Sequence, residues 1–327
     1  MQMRVTAGDR VSLLGQARRR FLGLSTTEAS FAKRGFVASE DNARRRLEQI
    51  GVTFLNGYHA ALEETGFVPL ARRLANVDAE LRGFAFEGAA MGLALLDCVT
   101  PWRKDRWRTF TEQCAQRHVY MMHVGLGWAL ARLRRSVTPY MAQLDPLLRW
   151  LVIDGYGFHQ GYFSWPRYVE QQEIPASFDG YMRRVFDQGL GRSLWFVKGA
   201  DVAAITRTIK TFPAARRDDL WSGLGLACAY AGGCDRPAIE SLRTAAHVHL
   251  PALAQGVAFA AKTRHHAANL NSHTQTVSRL ICNESAETLA AITDAALEDL
   301  REQGDLPGYE VWRRRIQEKI ALGVTTT

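Results

Sequence analysis

"FDQGLGRSLWFV", Phe186 to Val197, is the stretch on which the reading of the fold turns. Its opening four residues have counterparts in "FHQG" at Phe158 to Gly161 and "FLNG" at Phe54 to Gly57. Glycine costs a helix interior roughly 1 kcal/mol against alanine, so glycine repeated inside apolar runs reads either as close helix approach or as a thinned wall beside a pocket. "VGLG" at Val124 to Gly127, "DGYG" at Asp154 to Gly157 and "SGLG" at Ser222 to Gly225 read the same way. Both readings stay open, because a polar residue repeatedly precedes the glycine: Asn56, Glu87, Gln160, Gln188, Ser222 and Gln255. Buried polar groups need partners, and facing amides supply each other or a ligand.

Outward from these runs, helix signals dominate. Ser25-x-x-Glu28 reads as a capping box, Gly35 as a stop and Asp145-Pro146 as an N-cap followed by proline, with further starts at Asp201, Ser285 and the Pro307 region. Apolar residues recur at three and four, as in Leu147, Leu148, Leu151 and Val152. Alternating strand runs and hairpin turns are nearly missing, so the chain reads as all-α, a multi-helix globular bundle. Three blocks also repeat in order. Phe54 and Gly57 recur as Phe186 and Gly189, Phe86 and Gly88 as Trp221 and Gly223, and His118, Gly125 and Trp128 as His249, Gly256 and Phe259. The expectation is one compact domain over 1–327 with similar halves at 40–140 and 170–270, an N-terminal arm at 1–38 and a C-terminal helical cover at 273–327.

Composition narrows the function classes. The chain has 327 residues, 47% of them hydrophobic and 23% charged, which suits a globular protein with a large core. A net charge of +8 comes from arginine runs such as Arg44-Arg45-Arg46 and Arg313-Arg314-Arg315, read here as solvated helix faces paired with carboxylates. No zinc-finger spacing or RNP-type motif supports a nucleic-acid partner. Five cysteines without a C-x-x-C pair point to reduced thiols and a cytoplasmic setting. "RRRFLGL" imitates a twin-arginine signal, but charged residues follow where an apolar segment belongs. The longest apolar segments fall short of the about 20 residues that span a bilayer.

Candidate catalytic residues are Glu87, His123, His159 and Asp187, each a charge or imidazole set in an apolar helix where it is costly unless paired or used. Gln160, Gln188, Arg192, Trp195, Gln255 and Asp154 are candidate substrate contacts. An ion pair of Asp154 or Asp187 with Arg149 or Arg192 is the plain structural alternative. No metal site is assigned: H-E-x-x-H and Glu-x-x-His are missing, and Asp218-Asp219 lacks the third aspartate of a prenyl-diphosphate site. "GLGRSLW" contains G-x-G without a preceding strand, so it is no dinucleotide fingerprint, and the cofactor stays unknown.

"RRRFLGLSTTEASFAKRGF", "LRGFAFEGAAMGLALLD", "LLRWLVIDGYGFHQGYF", "FDQGLGRSLWFV" and "AARRDDLWSGLGLACAYAGG", with "AQGVAFAAK" and "YEVWRRRIQ", together resemble the UnbL-like family over nearly the whole chain. That family consists of bacterial proteins encoded beside the iterative polyketide synthases of enediyne clusters. "TRHHAANLNSHT" departs from its pattern. The resemblance implies a role in antibiotic biosynthesis, a hydrophobic polyene or polyketide partner and contact with other enzymes of the cluster; it brings no catalytic residues. Two functions follow as expectations: a protein that binds and helps modify or cyclise a long conjugated polyene in an apolar cavity, or a noncatalytic scaffold or carrier for it.

Overall fold

The computed structural model describes residues 12–100, 102–300 and 306–324. Of the expected N-terminal arm, residues 1–11 lie outside the described residues, as do 301–305 and 325–327 of the C-terminal cover. The described chain is all-α, with no β-strand. In order the helices are α1 (Leu13–Leu22), α2 (Phe31–Arg34), α3 (Asp41–Glu63), α4 (Phe67–Ala75), α5 (Arg82–Val99), α6 (Arg106–Cys114), α7 (Val119–Arg132), α8 (Thr138–Met141) and α9 (Trp150–Phe163). They continue with α10 (Gly180–Val197), α11 (Val202–Thr211), α12 (Ala214–Ala231), α13 (Arg236–Ala246), α14 (Leu250–His266), α15 (Ser272–Cys282), α16 (Ala286–Ala295) and α17 (Gly308–Val324).

Two kinds of helix alternate, for a reason visible in composition. α5, α7, α9, α10, α12 and α14 are apolar on nearly every face and are buried on nearly every face, as with the unbroken run from Gly83 to Leu96 in α5. The connecting helices are shorter and amphipathic. α4 buries Leu70 and Leu74, α11 Val202, Ile205 and Ile209, and α13 Ile239, Leu242 and Ala246. The long helices pack in succession, α3 on α5, then α7, α9, α10, α12 and α14, with the connecting helices outside. This array curls back on itself. Phe84 of α5 meets Tyr230 of α12 edge-on at 5.1 Å, Tyr120 of α7 meets His266 of α14 at 5.4 Å, and Arg46 Nε of α3 donates to the Ala231 carbonyl at 3.1 Å.

Glycine sets the spacing of the inner helices. A methyl group at Gly88 would fall inside the Phe54 carbonyl oxygen, so α3 and α5 approach backbone to backbone only because no side chain stands there. The expected equivalence of Gly57 with Gly189 does not follow these contacts. Gly57 of α3 lies on Ala85 of α5, Gly191 of α10 lies on Leu220 of α12, and Gly189 lies on Asp154 of α9. Duplication is therefore a proposal in which Gly57 corresponds to Gly191, tested by superposing 41–132 on 180–266.

Several caps stand where the polar residues call for them. Asp201, Asp235, Asn271 and Ser285 accept from the backbone N–H three residues on, Ser25 caps a 3₁₀ turn at Thr26–Ala29, and Gly35 ends α2 at φ 68°. Asp145 accepts from Leu147 and Leu148, but regular helix begins only at Trp150. One expectation about the arginines is corrected. Arg313 is 1% exposed and joins Asp219, Glu310 and Gln255 in the interior, so it is no solvated residue, whereas Arg314 beside it is exposed and paired with Glu310.

Candidate functional site

The inner helices enclose two narrow cavities of about 30 Å³ each. The first is lined mainly by aromatic side chains, Phe54, Phe84, Trp128, Phe158, Tyr162, Phe163 and Phe196, with Glu87 among them and Glu28 and Ala29 of the N-terminal segment at its edge. The second is lined by Met121, Val124, Leu151, Leu226, Phe259 and Trp312, with Asp154, Arg192 and Tyr230 as polar members and Lys262 and Thr263 also present. Val124, Asp154 and Arg192 line the second, and Trp128, Phe158 and Phe196, each four residues further along the same helices, line the first. α7, α9 and α10 thus run in one direction past both cavities, which lie about one helical turn apart.

Glu87 is the electrostatic anomaly of this layer. It is 1% exposed, and neither carboxyl oxygen has a hydrogen-bond partner among the described residues. Burial pushes its pKa up to about 7; Arg192 nearby opposes that rise and Asp154 adds to it. The Trp128 indole N–H lies close enough to lower the value slightly, without completing a hydrogen bond. A carboxyl group close to half-ionised at neutral pH, facing aromatic walls, can both take and give a proton.

The neighbouring carboxylates are committed elsewhere. Asp154 forms an ion pair with Arg192 and accepts from Gln188 Nε2 at 2.8 Å; the Arg192 guanidinium lies 4.7 Å from the Phe158 ring centre. Gln188 also donates to the Tyr309 hydroxyl at 3.1 Å. Asp187 accepts from Arg216 at 2.8 and 2.6 Å, so its partner is Arg216 and not either arginine expected from sequence. Burial lifts Asp187 to about 6 against these bonds. It is ionised and held at neutral pH.

The imidazoles divide in the same way. His159 stands 5.5 Å from Trp128 and 4.7 Å from Phe163, ring to ring, with Nδ1 unpartnered; burial drops its pKa to about 3, leaving a neutral ring. His123 bonds to the Val119 carbonyl at 2.8 Å and meets Trp107 edge-on at 5.2 Å, which turns it toward α6. Gln160 is half-buried beside His159. Trp195 donates to the Gly232 carbonyl at 2.8 Å, and Gln255 accepts from Ser222 and Arg313 under α17; neither lines the two cavities.

"FHQG" and "FDQG" do not face one another across a cavity: Gly157 lies on the Phe186 backbone and Gly189 on the Asp154 carbonyl, so α9 and α10 touch there. His123 does not line the cavity that holds Glu87. Tyr230 went unnoticed in the sequence, since one tyrosine in "LACAYAGG" carries no spacing signal. No group of three or more His, Cys, Asp or Glu among the described residues is arranged to hold a metal ion, and no helix there is long and apolar enough to cross a membrane. A larger, open cleft of about 720 Å³ lies by the Asp201 and Asp235 caps, where those carboxylates already serve their own helices.

The raised pKa of Glu87 makes stability depend on pH. Its folded-state value lies above the ordinary 4.5, so between about pH 4.5 and 7 the native state holds the extra proton and stability falls as pH rises. The full change is about 3 kcal/mol. Glu87→Gln removes it. Urea unfolding of both proteins from pH 4.5 to 8 is expected to show their stability difference growing up to about pH 7 and then levelling; a constant difference would contradict the assignment.

A family model described as "Protein of unknown function (DUF1702)" matches residues 13–320, and the chain belongs to that family. No curated protein and no solved structure matches the chain.

Proposed function

We propose that this member of the DUF1702 family binds a long conjugated polyene against the aromatic wall around Glu87 and helps modify or cyclise it by moving protons. The observation that carries this reading is a buried carboxyl group with no ion-pair partner among the described residues and only the Trp128 indole N–H near it, set in an aromatic cavity and titrating near neutrality. Aromatic rings suit a flat, unsaturated chain. The Glu87 carboxylate takes a proton from the saturated carbon that ends the double bonds conjugated with a carbonyl; the C–H electron pair moves through those double bonds into an extended dienolate, and the acid formed returns a proton to a carbon nearer the carbonyl. The double bonds shift, Glu87 is regenerated, and no oxidant is consumed. A chain so rearranged, folded against the rings, stands ready for ring closure.

A cavity of about 30 Å³ admits one or two waters and not a long chain, so entry requires the N-terminal segment to lift. Lifting it would uncover the buried Phe31 and Phe36 and break the polar contacts of Glu28, Phe31 and Arg34. Phe31 N donates to Glu48 at 2.9 Å, Trp165 Nε1 donates to the Arg34 carbonyl at 3.0 Å, and Tyr162 Oη lies 3.5 Å from the Glu28 carbonyl. Ala29 and Glu28, at the edge of the cavity, move with it.

Titration with methyl parinarate, a conjugated tetraene ester, tests the binding. Tryptophan emission is expected to fall as tetraene emission rises, and Glu87→Gln is expected to keep affinity within about threefold, since the amide preserves shape. In a host carrying the polyketide genes the same variant is expected to lose product. Normal product with folded Glu87→Gln leaves a noncatalytic carrier or scaffold; absence of tetraene binding removes both readings.

A further inference from the structure

Tyr230 of α12 is 3% exposed, and its hydroxyl has no hydrogen-bond partner among the described residues. Its ring is fixed on two sides, by the Arg264 guanidinium 4.2 Å from the ring centre and by Phe84 edge-on at 5.1 Å. The hydroxyl reaches α5 at Gly83, where a Cβ would collide with it. Gly83 lies four residues before Glu87, so the hydroxyl meets α5 one helical turn before Glu87, whose charge acts on it, and Tyr230 lines the second cavity. A buried hydroxyl left unpaired costs about 1–3 kcal/mol on general grounds, a cost phenylalanine would avoid. The notch that Gly83 leaves in α5 gives the oxygen room, but packing does not supply the hydrogen bond it lacks.

We propose that the Tyr230 hydroxyl is a binding contact for a neutral carbonyl oxygen of the ligand, the ketone or ester carbonyl conjugated with the polyene. This deepens the reading of the Glu87 site and rests on it. Glu87 and Arg192 bear on the hydroxyl, and Arg192 is committed to Asp154; Arg264, over the ring face, donates to the Tyr230 carbonyl at 2.6 Å. A neutral carbonyl accepts the phenol's hydrogen bond without adding a charge to this buried set. The phenol is an O–H donor, because burial raises its pKa above the ordinary 10. The hydrogen bond to a carbonyl held there stabilises the negative charge that develops on its oxygen when a carbon conjugated with it loses a proton. Tyr230 would then act on the ligand directly, as the electrophilic partner of the Glu87 base.

The test compares two probes of equal length, a conjugated tetraene methyl ketone and the matching tetraene hydrocarbon, binding to wild type and Tyr230→Phe. Wild type is expected to prefer the ketone, and Tyr230→Phe to weaken ketone binding about five- to tenfold while leaving hydrocarbon binding unchanged. The midpoint of thermal unfolding is expected to stay or rise in the variant. Equal ketone affinity in both proteins, or an equal loss for both probes, overturns the proposal and leaves Tyr230 a hydroxyl satisfied by solvent. A fall in the midpoint overturns the premise that the hydroxyl has no protein partner. If the hydrocarbon and the ketone both fail to bind wild type, the polyene reading itself falls, an outcome distinct from a ketone that binds without regard to Tyr230.

Discussion

Replacing Arg192 by methionine is expected to lower stability by about 3–5 kcal/mol, the usual cost of removing one member of a buried ion pair. Arg192 is 4% exposed and Asp154 1%, so the orphaned carboxylate cannot turn to water. It would keep one donor, Gln188 Nε2 at 2.8 Å. The pair spans α9 and α10, and Gln188 carries it to Tyr309 of α17, so the loss reaches the C-terminal cover as well. Exchanging both partners, Asp154→Leu with Arg192→Met, is expected to recover most of the loss, because a well-packed apolar pair often matches a buried ionic one. Urea unfolding of the singles and the double at pH 7 decides this. Equal losses in the double and the singles would show that the pair acts through shape and not through charge. Arg192→Met also removes a cation that holds the Glu87 pKa down, so the pH window in which Glu87 influences stability should move upward.

Gly88→Val is expected to be severely destabilising. Overpacking a core costs about 1–3 kcal/mol when side chains can yield, but the atoms facing Gly88 are the Phe54 carbonyl and the Tyr58 backbone nitrogen, which cannot move without displacing α3. The loss should exceed that range and populate unfolded protein at ambient temperature. Gly308→Ala at the start of α17 serves as the control, since its nearest neighbour is the side chain of Leu300 at 3.5 Å, an ordinary contact. There alanine's better helix propensity should leave the protein as stable or slightly more so. Circular dichroism melts of both variants report the contrast; a Gly88→Val protein that melts with wild type would show that α3 and α5 have room to separate.

What the sequence by itself determined is the class of structure and the burial of its odd residues. Apolar runs at helical spacing, broken by glycine and bounded by Asp201, Ser285 and Gly35, leave little alternative to packed helices, because the signals are local and each is read within one turn. Glu87, Asp154, Asp187 and His159 likewise announced themselves as polar groups in helices too apolar for the surface, and all four are buried. Which of them is available was decided only by the tertiary structure. Asp154 meets Arg192 from α10, Asp187 meets Arg216 from α12, and His123 turns to Trp107, while Glu87 forms no ion pair among the described residues. The physical reason is that helical period fixes depth of burial, whereas an ion pair depends on which faces of two distant helices meet. Gly125, which lets α7 lie on the Glu87 carbonyl, and Gly83, which leaves room for the Tyr230 hydroxyl, set those faces, and the place each glycine takes against its neighbour is a property of the packed array.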